Sequence, residues 1–463
     1  MLESYANVKV PAGKQRAREI RSGVETTLPP QQPAWRRVWQ GPPLMHYHRL
    51  IALVFLANLP FFYFAFRFDG WWSGERLALA PLSYMVLANI TLAIVVRQQY
   101  VINLFFRVAT SAPTSWPLGI RRLLGKVYHF GGLHVGGAVM GTIWFSIFTY
   151  ALFVGRARGL ATVSAGVFWS SIALVVLLLG LILMAMPQIR ARYHDSFELS
   201  HRFGGWSALL LFWLQTLLFV RDQQAGLSYG AALLQAPGFW LLLLVTFSIA
   251  LPWLRLKKVP VELARPSNHV TLAHFNYGVT PFAGSSTSIS RSPLREWHAF
   301  ANVPAPDQPG FRLTISRAGD WTGDFIDDLP SHVWVKGIPT AGVGNIDQLF
   351  KRVVWIATGS GIGPTLPHLL AKTAPAHLVW STRSPRLTYG DDLVDEILTA
   401  QPDALIWDTN ERGRPDLVQL AYEAVRDYDA EAVIVIANKK LTWQVVYGME
   451  SRGIPAYGAI WDS

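Results

Sequence analysis

Val353-Val-Trp-Ile-Ala-Thr-Gly-Ser-Gly-Ile-Gly-Pro364 decides how the soluble half of this chain is read. Its five leading apolar residues suit a strand buried on both faces. Gly359, Gly361 and Gly363 then form a turn with little side-chain bulk, and a helical pattern follows from Thr365 to Lys372. Such a turn lets the backbone approach a pyrophosphate, whose charge sits at the N-terminus of the next helix. Thr358, Gly359, Gly361, Gly363 and Pro364 are therefore candidate nucleotide-binding residues. A glycine-rich turn alone is weak evidence; a strand before it and a helix after it strengthen the match.

Downstream, predicted strands at His377–Trp380, Ala404–Asp408 and Ala432–Ile436 alternate with helices at Asp391–Leu398, Pro415–Val425 and Trp443–Arg452. That alternation predicts a parallel, doubly wound α/β lobe over residues 350–463. After its second strand, Ser381-Thr-Arg-Ser-Pro-Arg386 brings Arg383 and Arg386 to where an adenosine ribose would lie, with no carboxylate directly following the strand. An arginine there favours a 2′-phosphate, hence NADPH over NADH; a solvated loop of arginines is the competing reading. Upstream, residues 259–340 carry short β-like runs (His269-Val-Thr-Leu, Phe311-Arg-Leu-Thr-Ile, His332-Val-Trp-Val) punctuated by proline and serine. They predict a small antiparallel barrel.

The other half is different in kind. Of 463 residues, 51% are hydrophobic and only 15% charged, and the apolar excess lies between Arg49 and Leu254. A span needs about 20 apolar residues. Six stretches qualify: Arg49–Phe66, Leu77–Val96, Val127–Phe153, Val163–Met186, Leu199–Val220 and Phe239–Leu254. They predict a six-helix membrane bundle over residues 46–256. Eighteen Lys and Arg fall on the side of the tail and the even-numbered loops, against five on the other, which puts both termini in the cytosol. The net charge of +11 follows the span ends rather than one patch, so it points to lipid bilayer and not to nucleic acid. Residues 1–45 lack the apolar core of a signal peptide and read as a largely disordered cytosolic tail.

The chain has no cysteine. This excludes iron–sulfur clusters, thiolate zinc sites and thiol catalysis, and leaves histidine as the candidate metal ligand. His129 and His134 lie near the start of the third span and His201 near the start of the fifth, at similar depth. Facing imidazoles from two helices suit a six-coordinate haem b. His129 and His134 are five residues apart and cannot both face one iron. The glycines Gly131, Gly132, Gly136 and Gly137 would let a porphyrin, or another helix, come close. Interfacial histidines beside a small-residue packing face are the alternative.

Over about 420 residues the chain resembles the ferric reductase and NADPH oxidase superfamily. Leu294-Arg-Glu-Trp-His-Ala-Phe300 looks like its flavin motif, Ala318-Gly-Asp-Trp-Thr322 like its flavin-pyrophosphate segment, and Ala357–Pro364 like its nicotinamide-nucleotide turn. Phe197-Glu-Leu-Ser-His-Arg202 and Tyr128-His-Phe-Gly-Gly132 are similar to its starts of the fifth and third spans. A narrower resemblance is to the membrane-reductase portions of fungal TmpL-type, nonribosomal-peptide-synthetase-like proteins, without their adenylating domain.

The resemblance implies a ferredoxin-reductase-like module and several site residues. His298 and Phe300 would contact FAD, Gly319, Trp321 and Thr322 would hold its pyrophosphate, and His129 and His201 would ligate a cytosolic-side haem. Trp461 would cover the flavin until nicotinamide displaces it; an exposed tail tryptophan is the alternative. Three departures stand out. Thr142, Ile143, Leu214 and Gln215 occupy the positions of a second haem's histidines. Ala301 replaces a hydroxyl residue in the flavin motif. Ala437-Asn438-Lys439 replaces the usual Cys-Gly-Pro turn.

The expected function is a flavohaem oxidoreductase passing electrons from NAD(P)H through FAD to one haem and on to an unidentified acceptor. A haem-free membrane-anchored FAD reductase acting on a lipophilic substrate, and a non-catalytic sensor or scaffold, are the alternatives.

Overall fold

The computed structural model describes residues 27–72, 77–160, 163–224, 226–304 and 309–459. The helical half comprises α1 (Ala34–Gln40), α2 (His46–Phe64), α3 (Leu79–Val95), α4 (Gln99–Thr110), α5 (Leu118–Leu124), α6 (Gly131–Arg158), α7 (Ala165–Ala185), α8 (Pro187–Arg192), α9 (His194–Asp222), α10 (Tyr229–Gln235) and α11 (Pro237–Leu254). Five helices, those containing α2, α6, α7, α9 and α11, are long and apolar enough to cross a membrane. The predicted second span differs. α3 has 17 residues and meets the same test only together with α4, from which it is bent by 73°. Arg97, Gln98 and Gln99 interrupt the apolar run, and the Gln98 side chain accepts a hydrogen bond from the Tyr100 N–H at 2.6 Å, starting a new helix.

α6 is the axis of the bundle, packed on α2, α3 and α7. A Cβ on Gly132 would overlap the Tyr47 carbonyl of α2, and one on Gly137 would lie 2.7 Å from the Asn89 carbonyl of α3. These small residues serve close helix approach. A buried network ties the same helices together. Asn58 Oδ1 accepts from Asn89 Nδ2 at 2.9 Å and from Trp144 Nε1 at 2.8 Å, and Asn58 Nδ2 donates to Asn89 Oδ1 at 3.0 Å. Each polar group is thereby satisfied in an apolar setting.

The soluble half contains β1 (Lys257–Pro260), β2 (Glu262–Ala264), β3 (Val270–Phe275), β4 (Ser285–Ser290), β5 (His298–Ala301), β6 (Phe311–Ser316), α12 (Asp320–Asp328), β7 (His332–Ala341), β8 (Val353–Thr358), α13 (Ile362–Ala371), β9 (Ala376–Thr382), α14 (Pro385–Tyr389), α15 (Asp391–Ala400), β10 (Leu405–Asp408), α16 (Thr409–Arg412), α17 (Leu417–Tyr428), β11 (Ala432–Ile436), α18 (Lys439–Glu450) and β12 (Ala456–Gly458). Two antiparallel sheets, β1-β7-β4-β5 and β2-β3-β6, close around a core of Phe275, Ile289, Leu313 and Phe325. The second lobe is a parallel sheet of order β10-β9-β8-β11-β12. Its strand order reverses between β8 and β11, the position at which such sheets open a crevice.

The loop from Arg97 to Lys126 joins the halves. Beyond Gly337, β7 pairs irregularly with β4, and α4 satisfies the backbone groups this frees. Gln99 donates to the Ile338 carbonyl and accepts from the Ile338 N–H, both at 3.0 Å; Asn103 donates to the Pro339 carbonyl at 3.0 Å and accepts from the Ala341 N–H at 2.8 Å. Gly337 has φ +74°, and a Cβ there would overlap Gln99 Oε1. On α5, buried Arg121 donates to Glu431 at 2.7 Å and to the Leu349 carbonyl at 2.8 Å. Arg122 and Lys126 both pair with Glu450 of α18. The described part of the tail, 27–45, is likewise not the free chain expected. It contains α1, Gln32 N–H donates to the Ser451 carbonyl at 2.8 Å, and Arg452 donates to the Pro29 carbonyl at 3.1 Å.

Candidate functional site

Two constellations meet in the soluble half. The first is aromatic. β5 presents His298 and Phe300, and α12 lays Trp321 over them, its ring 4.0 Å from His298 and 6.2 Å from Phe300 with both planes 27° apart. Glu296 sets this arrangement. Its Oε1 accepts from the Ser292 N–H at 3.0 Å, from Ser290 at 3.3 Å and from Trp321 Nε1 at 3.3 Å. Although it lies inside the quoted flavin motif, no role was read for it. Its type, a lone carboxylate among apolar and aromatic residues, is the signal that could have found it.

Gly319 caps α12, and Thr322 Oγ1 accepts from the N–H groups of Ala318 (2.8 Å) and Gly319 (3.1 Å). A Cβ on Gly319 would meet nothing within 4 Å, so the space before the helix N-terminus is open. Nε2 of His298 is buried without a hydrogen-bond partner. Burial lowers the His298 pKa, further aided by His194 and opposed by Glu296. A neutral imidazole with an unpaired nitrogen, flat apolar walls and an open helix N-terminus fit a flavin dinucleotide. Ala301 adds no hydroxyl to this set.

The second constellation is the turn after β8. Gly359 has φ +49°, and a Cβ on Gly361 would overlap the Ile436 carbonyl across the strand-order reversal. Only glycine permits that approach. Gly363 faces Thr314, its position for a Cβ 3.3 Å away, and α13 packs on β5 and β6. Thr358 and Pro364 flank the same turn. The two arginines after β9 separate in role. Arg386 pairs with Asp391 at 2.9 Å and Asp395 at 2.7 Å, whereas exposed Arg383 makes no ion pair among the described residues. Asp408 fixes the loop by accepting from the Ser384 N–H at 3.0 Å. Trp461 lies outside the described residues.

His129 and His201, the expected haem-ligand pair, make no ring contact with each other among the described residues, and the Nδ1 atom of each is buried without a hydrogen-bond partner. The ring neighbours of His129 are His46 at 6.0 Å and Tyr128 at 4.2 Å; those of His201 are His134 at 6.4 Å and Phe197 at 5.2 Å. His134 is itself engaged by the Ala93 carbonyl at 2.8 Å. The glycine face offered for a porphyrin is filled by α2 and α3. These residues do not fit the expected haem.

Lys336 was also missed. It sits on β7 with its Nζ 4.5 Å from the Trp253 ring of α11 and 4.4 Å from Trp297, beside the aromatic site. Arg202 of α9 donates to the Leu294 and Arg295 carbonyls at 2.8 and 3.0 Å, so the helical half touches the flavin-motif loop directly.

Comparisons with known proteins redirect the function. Adenylate-forming reductase 03009 of Coprinopsis cinerea is 44% identical over 428 residues, 90% of this chain and 40% of its own length. Adenylate-forming reductase 06235 of the same fungus is 41% identical, with the same shares covered. The chain thus spans about 40% of the length of these relatives. Among solved structures, a ferredoxin NADP+ reductase from Neisseria gonorrhoeae with bound FAD and NADP aligns with 44% of this chain and 98% of its own, at TM-score 0.35 and 12% identity. The module's assignment rests instead on its own barrel and strand order. The relatives are named for adenylate formation and reduction, which overturns the expected relay from flavin through haem to a remote acceptor. Residues 343–463 match the family described as adenylate-forming reductase 03009, C-terminal domain.

Proposed function

We propose that this chain is the reductase part of an adenylate-forming reductase. In this reading, the glycine turn would hold the reduced nicotinamide nucleotide and the aromatic site FAD, and the hydride they would supply reduces a carboxylic acid activated as its adenylate. The observation that carries it is the junction of the two constellations: the turn after β8 and the His298–Phe300–Trp321 stack lie on lobes packed through α13, β5 and β6. Similarity along 90% of the chain to proteins named adenylate-forming reductases supplies the substrate class.

FAD, when bound, supplies a two-electron store between nicotinamide and substrate. The chain's residues bind and orient. Phe300 and Trp321 wall the ring system, the α12 N-terminus with Gly319 and Thr322 takes the pyrophosphate, and neutral His298 offers Nε2 as a hydrogen-bonding group. Thr358, Gly359, Gly361, Gly363 and Pro364 shape the nicotinamide-nucleotide turn, and unpaired Arg383 takes a 2′-phosphate, favouring NADPH. Overall, the acyl carbon gains hydride, its bond to the activating phosphate breaks, and an aldehyde and AMP leave. The apolar helices seat the module on a bilayer with both termini cytosolic; the charge asymmetry of the loops supports this.

The test is anaerobic addition of NADPH to purified protein while the visible flavin band is followed. Bleaching is expected, and Gly361→Ala should retain flavin but slow bleaching by about a hundredfold, because the added Cβ displaces the turn. Protein that takes up no flavin, or a band indifferent to NADPH, would overturn the reading.

A further inference from the structure

At the end of the bundle away from the barrel, α3, α6, α9 and α10 line a half-open cavity of about 330 Å³. Its walls include Phe145, Phe148, Phe212 and Phe219, and among the lining residues there is no Asp, Glu, Lys, Arg or His. Two polar side chains enter it from α9. Gln215 is 6% exposed and Thr216 7%, and neither side chain makes a hydrogen bond among the described residues. The amide and the hydroxyl are thus available to a molecule in the cavity.

We propose that this cavity is a binding site for a neutral aromatic molecule carrying a single carbonyl or hydroxyl group. Four phenylalanines favour a flat aromatic partner in offset or edge-to-face contact. The absence of ionisable groups from its lining excludes recognition of a charged ligand by ion pairing. The Gln215 amide, donor and acceptor at once, and the Thr216 hydroxyl supply the buried polar anchor, while the other polar lining residues, Ser83, Tyr84, Gln223, Gln224 and Gln235, are exposed or half-buried. The cavity is not the hydride-accepting site. Arg202 marks where α9 touches the flavin-motif loop, and Gln215 lies 13 residues further on, about 20 Å along the helix at 1.5 Å per residue.

Benzophenone, a neutral aromatic ketone, tests this by photolabelling the full chain in lipid nanodiscs, with adducts mapped by peptide mass spectrometry. Saturable adducts are expected on the α6 segment around Phe145–Phe148 and the α9 segment around Phe212–Thr216. Ala80→Phe, at an exposed position on the cavity's mouth, should cut that labelling at least about tenfold by closing the entrance. Gln215→Leu should cut it about fivefold by removing one neutral hydrogen bond. Adducts that do not saturate and spread along the lipid-facing helices, or labelling unchanged in folded Ala80→Phe protein, would overturn the site and mean that bulk lipid alone fills the space. No step of the assay requires flavin or NADPH.

Discussion

Lys336 shows how one residue beside the site can report on its surroundings. Burial lowers its pKa to about 8, nearby Arg202 adds to the effect, and Glu198 opposes it. The rings of Trp253 and Trp297 partly compensate by cation–π attraction. A lysine whose pKa is lower in the folded than in the unfolded state opposes folding below the folded value. That opposition fades as pH rises from about 8 toward the ordinary lysine value of 10.5. Thermal melts of wild type relative to Lys336→Met should therefore show wild type gaining stability across that window, with the two curves parallel below it; parallel curves throughout would remove the buried-lysine account. No periodicity in β7 marks Lys336, because its partners come from α11 and from the loop before β5. The glycine turn, by contrast, was legible from local sequence, since it is defined by neighbours within about ten residues, whereas His298 and Phe300 entered only through the family resemblance and their strand β5 was not predicted. The histidine pairing was not legible either. Which imidazoles meet depends on how α2 and α3 fill the glycine face of α6, and spacing along one helix does not encode that.

At the scale of elements, the segment between α3 and α6 carries the interface between the halves. Its hydrophobic reading ended at Val96, next to the end of α3 at Val95, and the polar Arg97–Gln99 break separates α3 from α4. That α4 then turns by 73° to meet the barrel follows from Gln99 and Asn103 finding backbone partners more than 230 residues away. α5 adds the Arg121–Glu431 pair, with side-chain exposures of 4% and 21%. Removing one member of a largely buried pair leaves the other uncompensated and costs about 3 kcal/mol. Arg121→Met should lower the stability of the nucleotide lobe by that order, and Arg121→Met with Glu431→Met should recover part of the loss. A double-mutant cycle in thermal melts reads the coupling; additive losses would mean that the pair contributes nothing beyond its separate hydrogen bonds. The main alternation of strands and helices from β8 to α18 was readable, whereas the short α14, α16 and β12 were not predicted. Nor was the N-terminal α1, because its order comes from contacts with α18 and the segment after it.

For the whole molecule, the division into an apolar helical half and a soluble two-lobed half was plain from composition. The absence of cysteine makes the membrane orientation directly measurable. Ser111→Cys lies after α4, on the side of the basic loops, and Leu160→Cys lies after α6, on the other. In sealed right-side-out vesicles, a membrane-impermeant maleimide should label Leu160→Cys and reach Ser111→Cys only after permeabilisation. The reverse pattern would invert the topology, and equal labelling of both would remove the spans. The function was the least legible level. Flavin and nucleotide segments describe how reducing equivalents are gathered, while what receives them is set by chemistry that these residues do not touch.

The amide clamp that α4 places on the irregular end of β7 has a consequence for traffic through this enzyme. Four hydrogen bonds from Gln99 and Asn103, together with the α5 and α18 ion pairs, anchor the reductase as a fixed station against its helical base. A station of this kind does not swing out to collect its cargo. On the proposed function, whatever hands over the activated acyl group would have to do the travelling, arriving at a docking berth whose position is set by the bundle beneath it.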